Sequence, residues 1–291
     1  MHDESSDNEP KLEPKLEPPT SEIQRLARWW GIMGLALLAV TWKLWIPQDD
    51  YPQIPLLPFG SMLPDLVEWA AVCIMTASLG AMAITGGRST RESQWFCAAF
   101  VVCFSILALS DQHRLQPWAY HLALIAVLLA WHRRPLRALR WLLISIYFFS
   151  AIGKLDYTFL HTVGPELVEV PLRWLGVNTS ADVIRWLAVA FPIGELFIVL
   201  GLLSGRSSGV ARVFAVFAHV ALLAILGPLG LGHHPGVLLW NLFFIGLWTA
   251  FPRLVAVEPR RSGHAGSQPA TGPPGSKGLP GSKGLPGSKG L

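Results

Sequence analysis

Eight runs of apolar residues dominate the chain, at roughly 26 to 46, 66 to 85, 94 to 110, 116 to 131, 137 to 155, 183 to 204, 209 to 229 and 235 to 251. A bilayer core about 30 Å thick takes about 20 helical residues at a rise of about 1.5 Å each, and shorter runs suffice where the bilayer thins or helices pack. The expected fold is therefore all-α: a polytopic transmembrane bundle of about eight spanning helices. Composition points the same way, because 14% of the residues are charged whereas a soluble domain carries about a quarter. The 13 Trp and 23 Pro suit a chain in which Trp sits at the membrane boundary and Pro occurs in spanning helices and their connections. The fourth run is short and opens with Pro117, a residue favoured in the first turn of a helix.

The charges between the runs give an orientation. Arg88 and Arg91, then Arg133, Arg134, Arg137 and Arg140, then Arg206 and Arg212, then Arg253, Arg260 and Arg261 fall on every second connection. These connections are cytoplasmic by the positive-inside rule. The opposite connections carry Asp49, Asp50, Asp65, Asp111, Asp156, Glu166, Glu169 and Asp182 with few cations, so both termini are expected in the cytoplasm. The formal charge of +4 resides in these clusters and not on an amphipathic basic face, which argues against nucleic acid as a partner. Residues 165 to 174 are too few and too polar to span and read as an amphipathic helix on the outer surface.

Residues 1–21 form a polar tail with the echo Lys-Leu-Glu-Pro at 11 and 15, which cannot bury enough surface to fold alone and is expected to be disordered. Residues 22–252 form the membrane domain. In residues 253–291, Gly recurs every third position from Gly272 to Gly290, a collagen-like period in a basic tail expected to be disordered. The first apolar run lacks a small-residue cleavage site and reads as an anchor. With no organelle address, an inner or plasma membrane is expected. Cys73, Cys97 and Cys103 lie inside apolar runs without metal-ligand spacing and read as buried thiols. Asn178-Thr179-Ser180 fits a glycosylation acceptor, though the triplet is common by chance.

Ionisable residues inside spanning helices cost about 2.5 to 3.5 kcal/mol each for Asp, Lys or Arg on insertion scales, so each asks for a reason. Lys154 closes the fifth run and is followed by Asp156; His121 lies near the outer end of the fourth, close to Asp111, His113, Arg114, Gln116 and Trp118. Glu195 and His219 fall near the midplane of the sixth and seventh runs, and Trp240 and Asn241 lie in the outer half of the eighth. Structural readings stand beside functional ones. Lys154 as a snorkelling anchor, Asp111 to Arg114 as a solvated turn with a local ion pair, and Glu195 with His219 as an interhelical hydrogen bond all remain open. His233 and His234 read as loop residues.

The segment Tyr147-Phe148-Phe149-Ser150-Ala151-Ile152-Gly153-Lys154-Leu155-Asp156 resembles the Tyr-Phe-x-Ala-Gly-x-x-Lys-Leu-Asp stretch of the vitamin K-dependent gamma-carboxylase membrane domain and its bacterial relatives, the HTTM (horizontally transferred transmembrane) family. Trp118-Ala119-Tyr120-His121-Leu122 is similar to that family's Trp-x-x-His motif. The resemblance implies Lys154 as a base in vitamin K epoxidation and His121 as support for the substrate carbanion. The multi-pass pattern with Glu195 in a later helix also looks like the smaller DoxX and MauE redox-associated membrane proteins. This chain departs from the pattern at Gly153, where the carboxylase has a lysine, and at Phe159, where it has Trp. It ends soon after the last run, so an extramembrane domain that captures a protein substrate is not expected.

A lysine acts as a base only in its neutral form, which burial favours and a neighbouring carboxylate opposes; Asp156 is the nearest candidate for that opposition. A quinone or vitamin K-like molecule suits an apolar cleft with a few polar groups, lined by Trp118, Tyr120, Trp240 and Asn241. Two classes of function follow. One is a quinone-linked redox or carboxylase-like enzyme or accessory with Lys154 and His121 at its centre. The other is a non-enzymatic transporter or assembly partner using Glu195 and His219.

Overall fold

A computed structural model describes residues 21–48, 52–204, 207–251 and 254. The described residues are helical throughout, with no strand among them. The chain runs through α1 (Ser21–Val40), α2 (Trp42–Trp45), α3 (Asp65–Thr85), α4 (Thr90–Ser110), α5 (Pro117–Trp131), α6 (Pro135–Gly153), α7 (Gly164–Trp174), α8 (Ala181–Ala188), α9 (Ala190–Ser204), α10 (Ser208–Leu226) and α11 (Pro235–Ala250). Short 3₁₀ turns at Pro58–Met62 and Gln112–Arg114 and a π-helical turn at Phe159–Val163 complete the connections. The tails assigned to 1–21 and 253–291 lie outside the described residues, except that Ser21 already belongs to α1 and Leu254 is buried.

Each apolar run coincides with a helix, and the ends follow local chemistry. Ser89 accepts a hydrogen bond from the backbone N–H of Glu92 at 3.1 Å and starts α4, as a Ser three residues ahead of a Glu should. Pro117, Pro135 and Pro235 sit in the first turns of α5, α6 and α11, where a missing N–H costs nothing. Gly86, with φ of 63°, ends α3 by returning its N–H to the carbonyl of Met82.

Five helices are long and apolar enough to cross a bilayer: Asp65–Thr85, Arg91–Ser110, Pro135–Gly153, the continuous Ala181–Ser204 formed by α8 and α9, and Ser208–Leu226. The chain is thus an integral multi-pass membrane protein. Pro117–Trp131 and Pro235–Ala250 are apolar but have 15 and 16 residues. α1 carries Glu22, Arg25 and Arg28 in its first two turns. The segment 165–174 is helical as α7, amphipathic, with Leu167, Val168 and Val170 buried.

The helices pack as two groups. α1, α3, α4 and α5 form one, and α6, α9, α10 and α11 the other, joined chiefly where α11 lies on α1. The close approach of α1 and α3 depends on Gly31, whose added Cβ would lie 2.6 Å from the backbone of Leu79 and Ala83. Small residues at such crossings let helices in lipid gain van der Waals contact. At the α1–α11 seam the Trp29 indole covers Gly246 and donates to the carbonyl of Phe243 at 3.3 Å. The core is rich in aromatic side chains, with Trp30, Trp45, Phe243 and Trp248 all but sealed.

Candidate functional site

α6 carries a polar stripe on one face. Tyr147, Ser150 and Lys154 stand three and four residues apart, the spacing that aligns side chains along a helix. Each meets a partner from the second helix group.

Lys154 is the residue that closes α6. Its ammonium lies 2.8 and 3.0 Å from the two carboxylate oxygens of Glu195 on α9, and it also donates to the hydroxyl and the backbone carbonyl of Ser150. The Ser150 hydroxyl in turn donates to Glu195 Oε1 at 2.9 Å. The side chain therefore runs back along α6, toward the helix interior. A snorkelling anchor would reach the other way, so the geometry goes against the anchor reading. Asp156 is not the partner: it is exposed, and its Oδ1 accepts the Phe159 N–H at 2.6 Å at the start of the π-helical turn. That turn places the Phe159 ring 6.0 Å from the Lys154 ammonium, and Phe159 packs edge-on against Phe191 of α9. Side-chain exposure is 25% for Lys154 and 19% for Glu195, so the pair is reachable.

Two turns from Lys154 along α6, Tyr147 is buried and shares hydrogen bonds with His219 Nε2 at 2.7 Å and Trp248 Nε1 at 2.8 Å. His219 Nδ1 lies 2.8 Å from Asn241 Oδ1, and the Asn241 amide donates to the Val237 carbonyl at 2.9 Å. The donors fix one order. Asn241 spends its N–H on Val237 and presents its oxygen, so His219 Nδ1 carries the proton and Nε2 accepts from Tyr147, which itself accepts from Trp248. His219 is thus held as a neutral ring, stacked at 4.7 Å on Phe244. Glu195 and His219 do not bond to each other, contrary to one expectation; each takes its own partner on α6.

His121 on α5 stacks parallel to Trp240 at 5.8 Å, and its Nδ1 is buried without a hydrogen-bond partner. It belongs to a different group from Lys154. Of the other expected lining residues, Trp118 packs edge-on against Trp45 in the core, Tyr120 is partly exposed beside His121, and Asn241 is taken by His219. The Asp111 turn is half as expected. His113 pairs locally with Asp111 at 2.8 Å, but Arg114 is sealed rather than solvated. Arg114 donates to Glu68 at 2.7 Å, to the Ser110 hydroxyl at 2.8 Å, and to the carbonyls of Leu44 and Leu107, which ties together the neighbouring ends of α2, α3 and α4.

No family model, curated protein or solved structure matches the chain.

Four contributors were absent from the residues singled out by sequence: Tyr147, Ser150, Trp248 and Glu68. Three had a readable signal. Tyr147 and Ser150 share the face of Lys154, and Glu68 is an acid inside an apolar run. Trp248 had none, because one Trp among thirteen carries no mark of a hydrogen-bonding role.

Proposed function

We propose that the chain spans the membrane eight times with both termini cytoplasmic, and that it is a quinone-linked redox or carboxylase-like enzyme or accessory of the HTTM type, worked by Lys154 and Glu195 near the outer face. The observation that carries the reading is the inward turn of the motif lysine onto a carboxylate, in a pair left open to its apolar surroundings. An ammonium so placed hydrogen-bonds a carbonyl of a lipid-soluble substrate and stabilises negative charge as it develops there. Glu195, 2.8 Å away, is the group to which Lys154 passes a proton if it is to act as a base, as the resemblance implies. His121, whose buried Nδ1 has no hydrogen-bond partner beside Trp240, lies in the other helix group and is included on the resemblance alone.

The test is binding of ubiquinone, menaquinone and vitamin K analogues to the purified protein. Saturable binding that Lys154→Ala and His121→Ala each weaken at least about tenfold, with the melting temperature kept, supports the reading. Absence of binding by well-folded protein removes it.

A second reading, proton-coupled transport, draws on the Tyr147–His219–Asn241 chain on the same face of α6. It requires that Glu195→Gln abolish transport, and retained transport in that variant counts against it.

A further inference from the structure

Two carboxylate–cation pairs among the described residues, Glu68–Arg114 and Lys154–Glu195, join separate elements, and they differ in access. Glu68 and Arg114 are 2% and 1% exposed, and Arg114 places hydrogen bonds on four acceptors drawn from separate segments. Nothing reaches that pair, and its role is to clamp helix ends. Lys154 and Glu195 join only α6 and α9 and remain a fifth to a quarter exposed. The exposed side chains near them on the two helices, Phe149, Ile152, Ile193 and Phe197, are apolar. An ion pair left open toward hydrocarbon is costly unless something uses it.

We propose that the Lys154–Glu195 pair binds membrane-soluble acids, held as their anions on Lys154 while Glu195 takes up the acid's proton. The inference rests on reading this pair as the working site but not on redox chemistry. The exchange balances. The acid's O–H bond breaks, its proton forms an O–H bond on Glu195, and the acid's anion replaces the carboxylate on the Lys154 ammonium. The site holds one net charge of zero before and after, so no uncompensated charge enters the membrane. Protonated Glu195 keeps Ser150 as a partner, its O–H donating to the hydroxyl oxygen 2.9 Å away. A neutral ligand has no such exchange available. A neutral carbonyl can only share the ammonium with Glu195 and Ser150, and, being a weaker acceptor than that carboxylate, it binds there more weakly than an anion.

The charged and titratable groups on elements packed against α9 leave Glu195 as the proton acceptor. On α6, Arg140 donates to the Leu202 carbonyl, Arg137 lies one turn before it, and Tyr147 is bound to His219. On α10, Arg212 donates to the Thr249 carbonyl and His219 is bound between Tyr147 and Asn241. On α8, Asp182 and Arg185 pair with each other in the open. Before α7, His161 stacks on Tyr157 at the surface.

The experiment uses the full chain in nanodiscs, read against empty nanodiscs, with three probes: a 2-hydroxy-3-alkyl-1,4-naphthoquinone, its 2-methoxy ether as neutral isostere, and palmitate. Calorimetry in two buffers of different ionisation enthalpy counts protons. Expected is tight binding of the two acids with uptake of about one proton per bound anion above the probe's own pKa, and an apparent Kd that rises about tenfold per pH unit there. The ether binds at least about tenfold more weakly. In Glu195→Gln the anions bind with no proton uptake and a flat Kd. Equal binding of ether and hydroxyquinone overturns the inference while leaving the quinone reading standing. Binding of palmitate with proton uptake, and of neither quinone, supports the inference and overturns the quinone reading. Failure of both acids to bind overturns it. Should Glu195→Gln not fold, the proton count on the unsubstituted chain decides.

Discussion

Lys154 and Arg114 make opposite predictions about stability, because burial decides what an ion pair is worth. Removing one partner of a sealed pair strands a buried charge and costs about 3 to 5 kcal/mol. Arg114→Ala is therefore expected to lower the melting temperature of the detergent-solubilised protein steeply, and the double change Glu68→Leu with Arg114→Met to recover much of the loss. For Lys154→Ala the loss is expected to be smaller than for Arg114→Ala, because both partners are partly exposed and Glu195 left alone can take up a proton and keep Ser150 as its partner. A melt showing equal losses would sink this distinction. Tyr147→Phe strands the Trp248 N–H and the His219 Nε2 together, for an expected loss of about 1 to 3 kcal/mol. That Lys154 needs a polar partner was legible from an ionisable residue at the end of an apolar run. Which acid it meets was not: Asp156 is two residues away in sequence and Glu195 forty-one, and only the packing of α9 on α6 brings the second within reach.

Among the elements, glycine separates close packing from mere tolerance. Gly31→Ala on α1 places a methyl 2.6 Å from the α3 backbone, an overpacking expected to cost about 1 to 3 kcal/mol. Gly80→Ala on α3 meets nothing within 4 Å and is expected to be neutral or to gain up to about 1 kcal/mol in helix propensity. Thermal unfolding of the two variants, measured side by side, checks the pair; a loss at Gly80 as large as at Gly31 refutes it. The helices themselves were readable, since an apolar run in lipid has to close its own backbone hydrogen bonds. Their interruptions were less so. The run at 26 to 46 breaks where the Thr41 hydroxyl donates to the Leu37 carbonyl at 2.6 Å, whereas the 181–204 helix stays continuous through the single turn residue Val189 ahead of Pro192. Local hydrogen bonding of this kind leaves hydrophobicity unchanged and so passes unseen in a hydropathy reading.

For the whole molecule, the arginine pattern predicts sidedness. Single cysteines introduced at Arg133 and at Asn178 in a cysteine-free background are expected to react with an impermeant maleimide from the cytoplasmic and the opposite side respectively, and labelling of both from one side would overturn the eight-span topology. Hydropathy marked where the apolar helices lie, but nothing in it revealed that they gather as two groups of four, because every lipid-facing residue and every core residue in such a chain is equally apolar. The seam between the groups has a consequence for biogenesis. Trp29 belongs to the first of the described helices to be made, yet the Gly246 and Phe243 it covers belong to the last of them. Until α11 has been made that indole lacks these partners, so the insertion of α11, rather than of any earlier helix, closes the seam.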